Sequence, residues 1–367
     1  MSWLLAFAGF ALLIILHEAG HFAAAKAVGM RVERFSLFFG RPLVSFRRGE
    51  TEYGIGPIPL GGYVRISGMN PREQLPPDVA PRSYYRQPVW KRVIVIAAGP
   101  TVNLAIAFLI LWALFLANGE ATSSQVVSSQ RLEQPAARYL QPGDRLVSVD
   151  GVKGDITAMA RQVASHRCAG GRTVNGCVAT TPAHLVVVRD GGTAAGGGGR
   201  LTFDIRPQYD ATRGIERTRL GFTYMTGTRE LGPASAAGAS VSGMWTVTER
   251  TLSVFSHIFQ ARERKQVGSF VGAYEVTRQS FGFSIERALE ILALISLSLA
   301  VINLFPFLPL DGGHIFWALA EKVRGRAIPF AIMERASVIG FALVIMLFVI
   351  GLSNDIDRLQ NGGFNVR

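Results

Sequence analysis

Along much of this chain apolar residues do not alternate with polar ones; they run. No charge interrupts the stretch from Trp3 to Leu16, which continues through HEAGHFAAAKAVGM. Val93 to Ala117 and Ile291 to Leu310 are likewise uncharged, and Ala336 to Leu352 forms a fourth run, led in by Ala327 to Met333. Each approaches or reaches the roughly 20 residues that a helix needs to cross a bilayer core, so the pattern predicts four transmembrane helices. Pro306 and Pro309 break the end of the third. Between the second and third runs the pattern changes. Pro135 to Gly151 (PAARYLQPGDRLVSVDG) offers a Pro-Gly-Asp turn, an alternating strand from Arg145 to Val149 with Val147 expected in the core, and an Asp-Gly hairpin signal. An amphipathic helix near 155–166, a strand from His184 to Arg189, a glycine-rich tip at 191–199 and a strand from Leu201 to Arg206 complete one α/β domain. Further on, Trp245, Thr248, Leu252, Phe255 and Phe259 recur at spacings of three and four, which predicts an amphipathic helix over 245–265. Such a helix either lies at the membrane interface or packs against the rest of the protein.

Composition agrees with a membrane protein. Of 367 residues 49% are hydrophobic and only 17% charged, and the mean hydropathy is +0.27; a soluble protein carries nearer a quarter charged residues. The net charge of +12 is not gathered into a stripe interleaved with aromatics, so no nucleic-acid partner is expected. Instead the basic residues sit between the apolar runs: residues 26–92 hold twelve against five acidic, and Lys322, Arg324 and Arg326 lie between the third and fourth runs. By the positive-inside rule both loops are cytoplasmic, which leaves both termini and the α/β domain on the other side of the membrane. No Lys or Arg precedes Lys26, so the charged start of a signal peptide is missing and the first run is expected to stay in the membrane. The expected segments are 1–29, first span; 30–92, β-hairpin and loop; 93–117, second span; 118–230, outer domain; 231–287, linker with the amphipathic helix; 288–314, third span; 315–329, cytoplasmic loop; 330–353, fourth span; and 354–367, tail.

His17-Glu18-Ala19-Gly20-His21 is an HExxH on a helix, where residues four apart share a face and both imidazoles can hold one Zn2+. Glu18 is placed to act as base toward water. Ionisable residues inside a membrane span are costly and point to function. A catalytic zinc takes three protein ligands and keeps one position open. Asp311, ending the third run on the same cytoplasmic side, is the candidate third ligand; His314 is set aside to keep that position free. Cys168 and Cys177 are candidates for a disulfide, since the domain faces an oxidising compartment and AGGRTVNG between them turns easily. A second zinc site from His166, Cys168, Cys177 and His184 is the other reading of the same residues.

HEAGH in the first span together with NLFPFLPLDGGH in the third resembles the site-2 protease family of intramembrane zinc metalloproteases, in its bacterial branch with a PDZ insertion. IPLGGYVRISGM at 58–69 resembles that family's membrane-reentrant β-hairpin, AAGPTVN at 97–103 its second-span motif, and the PGD turn with its strand a circularly permuted PDZ domain. The family's GFG motif appears only as Phe38-Phe39-Gly40. The resemblance implies a polytopic α-helical membrane protein with four spans, a membrane-associated β-hairpin and one extracytoplasmic PDZ-like domain. It implies ligands His17, His21 and Asp311, base Glu18, and a substrate-holding role for Asn303. Gly61, Gly62 and Tyr63, within the strand-like segment from Glu52 to Ile66, would offer an edge to an unwound substrate. The implied substrate is a single-span membrane protein such as an anti-sigma factor, already cut outside the cytoplasm. An inactive membrane PDZ scaffold and a metal-site transporter are the competing readings; the intact HExxH and Asp311 argue against the first, and the lack of inverted repeats against the second.

Overall fold

The computed structural model describes residues 1–70, 72–169, 174–189, 199–211, 217–257, 260, 264, 267–360 and 364. The chain divides into two compact units, Met1–Ala117 with Leu231–Arg367, and Asn118–Glu230.

The first unit opens with helix α1 (Ser2–Ala27). Four strands follow: β1 (Val32–Phe39), β2 (Val44–Arg48), β3 (Thr51–Ile55) and β4 (Ile58–Ile66). β2 and β3 form an antiparallel hairpin, but the segment expected as one strand-like stretch, Glu52 to Ile66, is broken in two. Gly56 and Pro57 divide the segment 52–66, and its two halves do not pair with each other; β3 runs parallel to β1 and β4 antiparallel to it, giving the order β2-β3-β1-β4. β4 is therefore a sheet edge. Helix α2 (Val89–Asn118) comes next, and its N-terminal turns close a core with α1 and the sheet through Ala25, Met30, Val32, Ile66, Tyr84, Val95 and Ile96.

The second unit is an antiparallel sheet of β5 (Glu120–Leu132), β6 (Arg145–Val149), β7 (Val152–Lys153), β8 (Ala183–Arg189), β9 (Gly199–Ile205) and, after the small pair β10 (Gln208–Asp210) and β11 (Arg217–Arg219), β12 (Phe222–Arg229). The order is β12-β5-β6-β8-β9, with β7 on β6. Helix α3 (Ile156–Ser165) starts at Asp155, whose carboxylate accepts from Thr157 N at 2.8 Å, and buries Met159 and Val163 against Leu146, Val149, Leu185 and Val187. Val147 is only half-buried, whereas Leu146 and Val149 are fully buried. A register shift between Leu146 and Ser148 against β8 is the cause: a bulge resets which side chains face the core, and strict alternation fails. The tip expected at 191–199 lies outside the described residues as far as 198.

Back in the first unit, α4 (Pro233–Ser256) starts twelve residues before Trp245, the expected beginning of the amphipathic helix, and Phe259 lies outside the described residues. Trp245 is 67% exposed on it. Helix α5 (Phe270–Phe283), which periodicity did not mark, is followed by α6 (Ile285–Asn303), α7 (Asp311–Arg324) and α8 (Phe330–Gln360). Among the described residues three helices are long and apolar enough to cross a membrane: α1, α2 and α8. On α8, Val338 and Ile339 are 67% and 65% exposed, an arrangement suited to lipid and not to water. α6, where a further span was expected, has 19 residues and carries Glu286, Arg287 and Glu290 in its first two turns.

Candidate active site

One helical turn separates His17 from His21 on α1, and both rings point inward with 6% and 7% of their surface exposed. Their Nε2 atoms are 3.3 Å apart. The third corner of the cluster comes only after α6 has ended. Pro cannot continue a helix, and between Asn303 and Asp311 the backbone is irregular, with Pro306 and a cis Leu308–Pro309 bond, before α7 begins at Asp311 itself. That break brings Asp311 Oδ2 to 3.3 Å from His17 Nε2 and 3.3 Å from His21 Nε2.

Two glycines make the approach possible. A Cβ at Gly99 of α2 would overlap the Nε2 of His21, so the ring rests directly on the α2 backbone. A Cβ at Gly340 of α8 would overlap the carbonyl oxygen of Leu308, so the last helix backs the segment that carries Asp311. The far sides of both rings also meet α2. His21 Nδ1 lies 2.8 Å from the Val95 carbonyl oxygen, and His17 Nδ1 lies 3.2 Å from the amide nitrogen of Asn103.

The donor set fits a tetrahedral metal ion. With metal–ligand bonds of about 2.0 Å, the ligands of a tetrahedral zinc stand about 3.3 Å apart, the separation found here on all three edges. Asp311 Oδ2 is buried and receives no hydrogen bond in proper geometry from the described residues, so its lone pair is free for an ion. Among the described residues this is the one group of three His, Cys, Asp or Glu side chains close enough to share a metal. His314 is not part of it.

Glu18 stands next to the trio. Its Cγ lies 2.9 Å from where a Cβ on Gly62 would be, so the edge strand β4 runs along it. Gly61 adopts φ of 142°, a backbone that favours glycine. Tyr63 turns to the opposite face of the strand, where its hydroxyl accepts from Arg34 Nη1 at 3.2 Å and its ring stacks on Phe39. Of the three expected edge residues the structure thus brings Gly62 to the base and turns Tyr63 away. Asn303, the last residue of α6, points its amide nitrogen at His17 Nε2 from 3.5 Å. In the second unit Cys168 and Cys177 are joined by a disulfide, with Cα atoms 6.1 Å apart. His166 and His184 are turned from them onto carboxylates, Asp150 at 2.9 Å and Asp204 at 2.8 Å, so no second metal cluster forms among the described residues.

Sequence reasoning missed Val95, Gly99 and Asn103. The last two lie in AAGPTVN, but nothing in their spacing states which turn of α2 meets the histidines.

Two imidazoles and a carboxylate converging among apolar helices, with a glutamate beside them, define the class: a membrane-embedded metallopeptidase. The profile of peptidase family M50 spans residues 5–347, and the chain belongs to this family, that of the site-2 proteases. Zinc metalloprotease Rip1 of Mycobacterium tuberculosis is similar at 34% identity over 361 residues, covering 85% of this chain and 83% of its own. A Rhizobium meliloti protein, provisionally named a zinc metalloprotease, is 29% identical over 374 residues, covering 95% and 94%.

Proposed function

We propose that this chain is an intramembrane zinc metalloprotease that hydrolyses peptide bonds in the transmembrane segment of a single-span protein. The observation that carries the reading is the triangle of His17 Nε2, His21 Nε2 and Asp311 Oδ2, 3.3 Å on each edge, beside Glu18. Relatives named zinc metalloproteases support zinc as the ion. Held by His17, His21 and Asp311, Zn2+ supplies Lewis acidity, polarising a carbonyl and acidifying water toward neutral pH. The remaining work falls to the protein. Glu18 takes the proton of the attacking water and returns it to the leaving nitrogen. A helical substrate hides its peptide groups in internal hydrogen bonds and must be drawn out before attack. β4 is an edge strand with two adjacent glycines, so an extended substrate segment adding to it would pass the Glu18 carboxylate. Asn303 holds the substrate carbonyl, and Tyr63 stiffens the strand from behind.

The basic loops and the resemblance support the finer layout: four crossings at 1–29, 93–117, 288–314 and 330–353 of a bacterial inner membrane. Both termini and a PDZ-like domain at 118–230 lie outside the cytoplasm, and the metal centre lies toward its cytoplasmic face. The same support makes the substrate a protein already cut outside, an anti-sigma factor being the type case of such regulated proteolysis.

The test uses purified protein and a transmembrane peptide. Glu18→Gln is expected to keep its zinc and lose at least about 100-fold in cleavage rate, the weight of a general base; cleavage at the unchanged rate refutes the mechanism. Asp311→Ala is expected to lose zinc, and unaltered stoichiometry and affinity in a folded protein refute its place as a ligand.

A further inference from the structure

The two histidines differ in what holds the side of the ring turned away from the cluster. For His21 that partner is the carbonyl oxygen of Val95, which can only accept. Nδ1 therefore carries the proton, and Nε2 offers its lone pair to the site. For His17 the partner is the side chain of Asn103, eight residues further along the same helix (103 − 95 = 8), completely buried. Ser296 Oγ donates to the Asn103 carbonyl at 2.9 Å and pins this turn of α2 against α6.

An amide nitrogen can donate and cannot accept. With Nδ2 facing His17, Nδ1 would have to accept, the ring hydrogen would sit on Nε2, and no lone pair would remain toward Asp311 and His21. The same orientation leaves Asn103 Oδ1 buried with no hydrogen-bond partner among the described residues. The first conflict disappears when the amide is turned by 180°, a change that leaves its outline the same because the two ends are nearly alike in shape. Oδ1 then accepts from His17 Nδ1–H, and Nε2 is free to bind metal.

We propose that Asn103 is the positioning residue of His17: its side-chain oxygen fixes the imidazole tautomer and ring angle, as the Val95 carbonyl does for His21. The inference rests on the metal-centre reading above and adds to it a residue that touches neither ion nor substrate. Outer partners of this kind set ligand basicity and orientation.

Two variants of the full-length protein separate the roles of the amide. Asn103→Leu removes the acceptor at similar volume; Asn103→Asp keeps an oxygen acceptor and cannot donate. Zinc affinity is measured by chelator competition, and the visible spectrum of the cobalt-loaded protein reports ligand geometry independently of cleavage. Asn103→Leu is expected to weaken zinc about 10- to 100-fold and shift the cobalt bands, while Asn103→Asp stays within about threefold of the parent. Equal losses in both variants, or no loss in a folded Asn103→Leu protein, overturn the assignment. Should Asn103→Leu fail to fold, Asn103→Asp decides alone: near-parental affinity supports an acceptor, and a loss above about tenfold overturns it. His17→Ala is the control; if zinc binding survives it, the metal-centre reading fails and this assignment with it.

Discussion

A single missing methyl group at Gly99 decides where the imidazole of His21 can lie. Alanine there would push the ring from the α2 backbone and break its hydrogen bond to Val95. Gly99→Ala is expected to lower zinc affinity by about 10- to 100-fold, the range seen when a ligand loses its outer support; chelator competition on the purified variant checks it, and unchanged affinity would mean that α2 yields freely. Residues of this kind are hidden from a reading of the chain. The four-residue spacing of His17 and His21 states that they share a helix face, because helical geometry makes it so. Nothing local states that Gly99 and Asn103 sit opposite them, since that depends on the packing of α1 against α2.

Among the elements, β6 shows how local pattern and tertiary pairing part company. RLVSV alternates, yet the bulge against β8 puts Leu146 and Val149 in the core and leaves Val147 half-buried. Leu146→Ala is expected to destabilise the second unit by about 2–5 kcal/mol and Val147→Ala by well under half of that, measured by urea unfolding. Comparable losses at both positions would contradict the bulged register. The sheet of the first unit was illegible for a related reason: turn signals expose neighbours in sequence, whereas β3 and β4 are joined only through β1. At the turn between β2 and β3, Glu50 accepts from Arg82 Nη1 at 2.7 Å and Nη2 at 2.9 Å, and from Lys26 at the end of α1. Arg82 foremost holds its carboxyl down at about 2, against an ordinary value of 4.5. A depressed acid stabilises the fold above its unfolded pKa and loses that contribution as pH falls toward the folded value. The tie among α1, this turn and residue 82 is therefore complete above about pH 4.5 and weakens down to about pH 2. The effect is small because water screens the partly exposed pair. Glu50→Gln should flatten that part of an acid unfolding curve, and an identical curve would show the tie to be idle.

At the scale of the whole molecule the chain is two compact bodies cut from one sequence, the second inserted between α2 and α4. The second has its own core of Val127, Leu140, Leu146, Val149, Met159, Leu185 and Ile205. Residues 118–230 alone should therefore unfold cooperatively. Its disulfide closes a short loop, a separation of 9 in sequence, so reduction should cost that piece about 2–3 kcal/mol by the loop-entropy relation. A gradual, non-cooperative melt of the isolated piece would show that it needs the membrane unit to fold.

His21 and Asp311 are 290 positions apart (311 − 21 = 290). At about 5–20 residues per second, the ribosome delivers the carboxylate roughly 15 to 60 seconds after the histidines. Throughout that interval α1 already holds His17, Glu18 and His21, but the third corner of the triangle has not been made. A newborn copy therefore lacks the full donor set while its first helices are being inserted; the order of synthesis works as a safety catch, released only once Asp311 has joined the histidines.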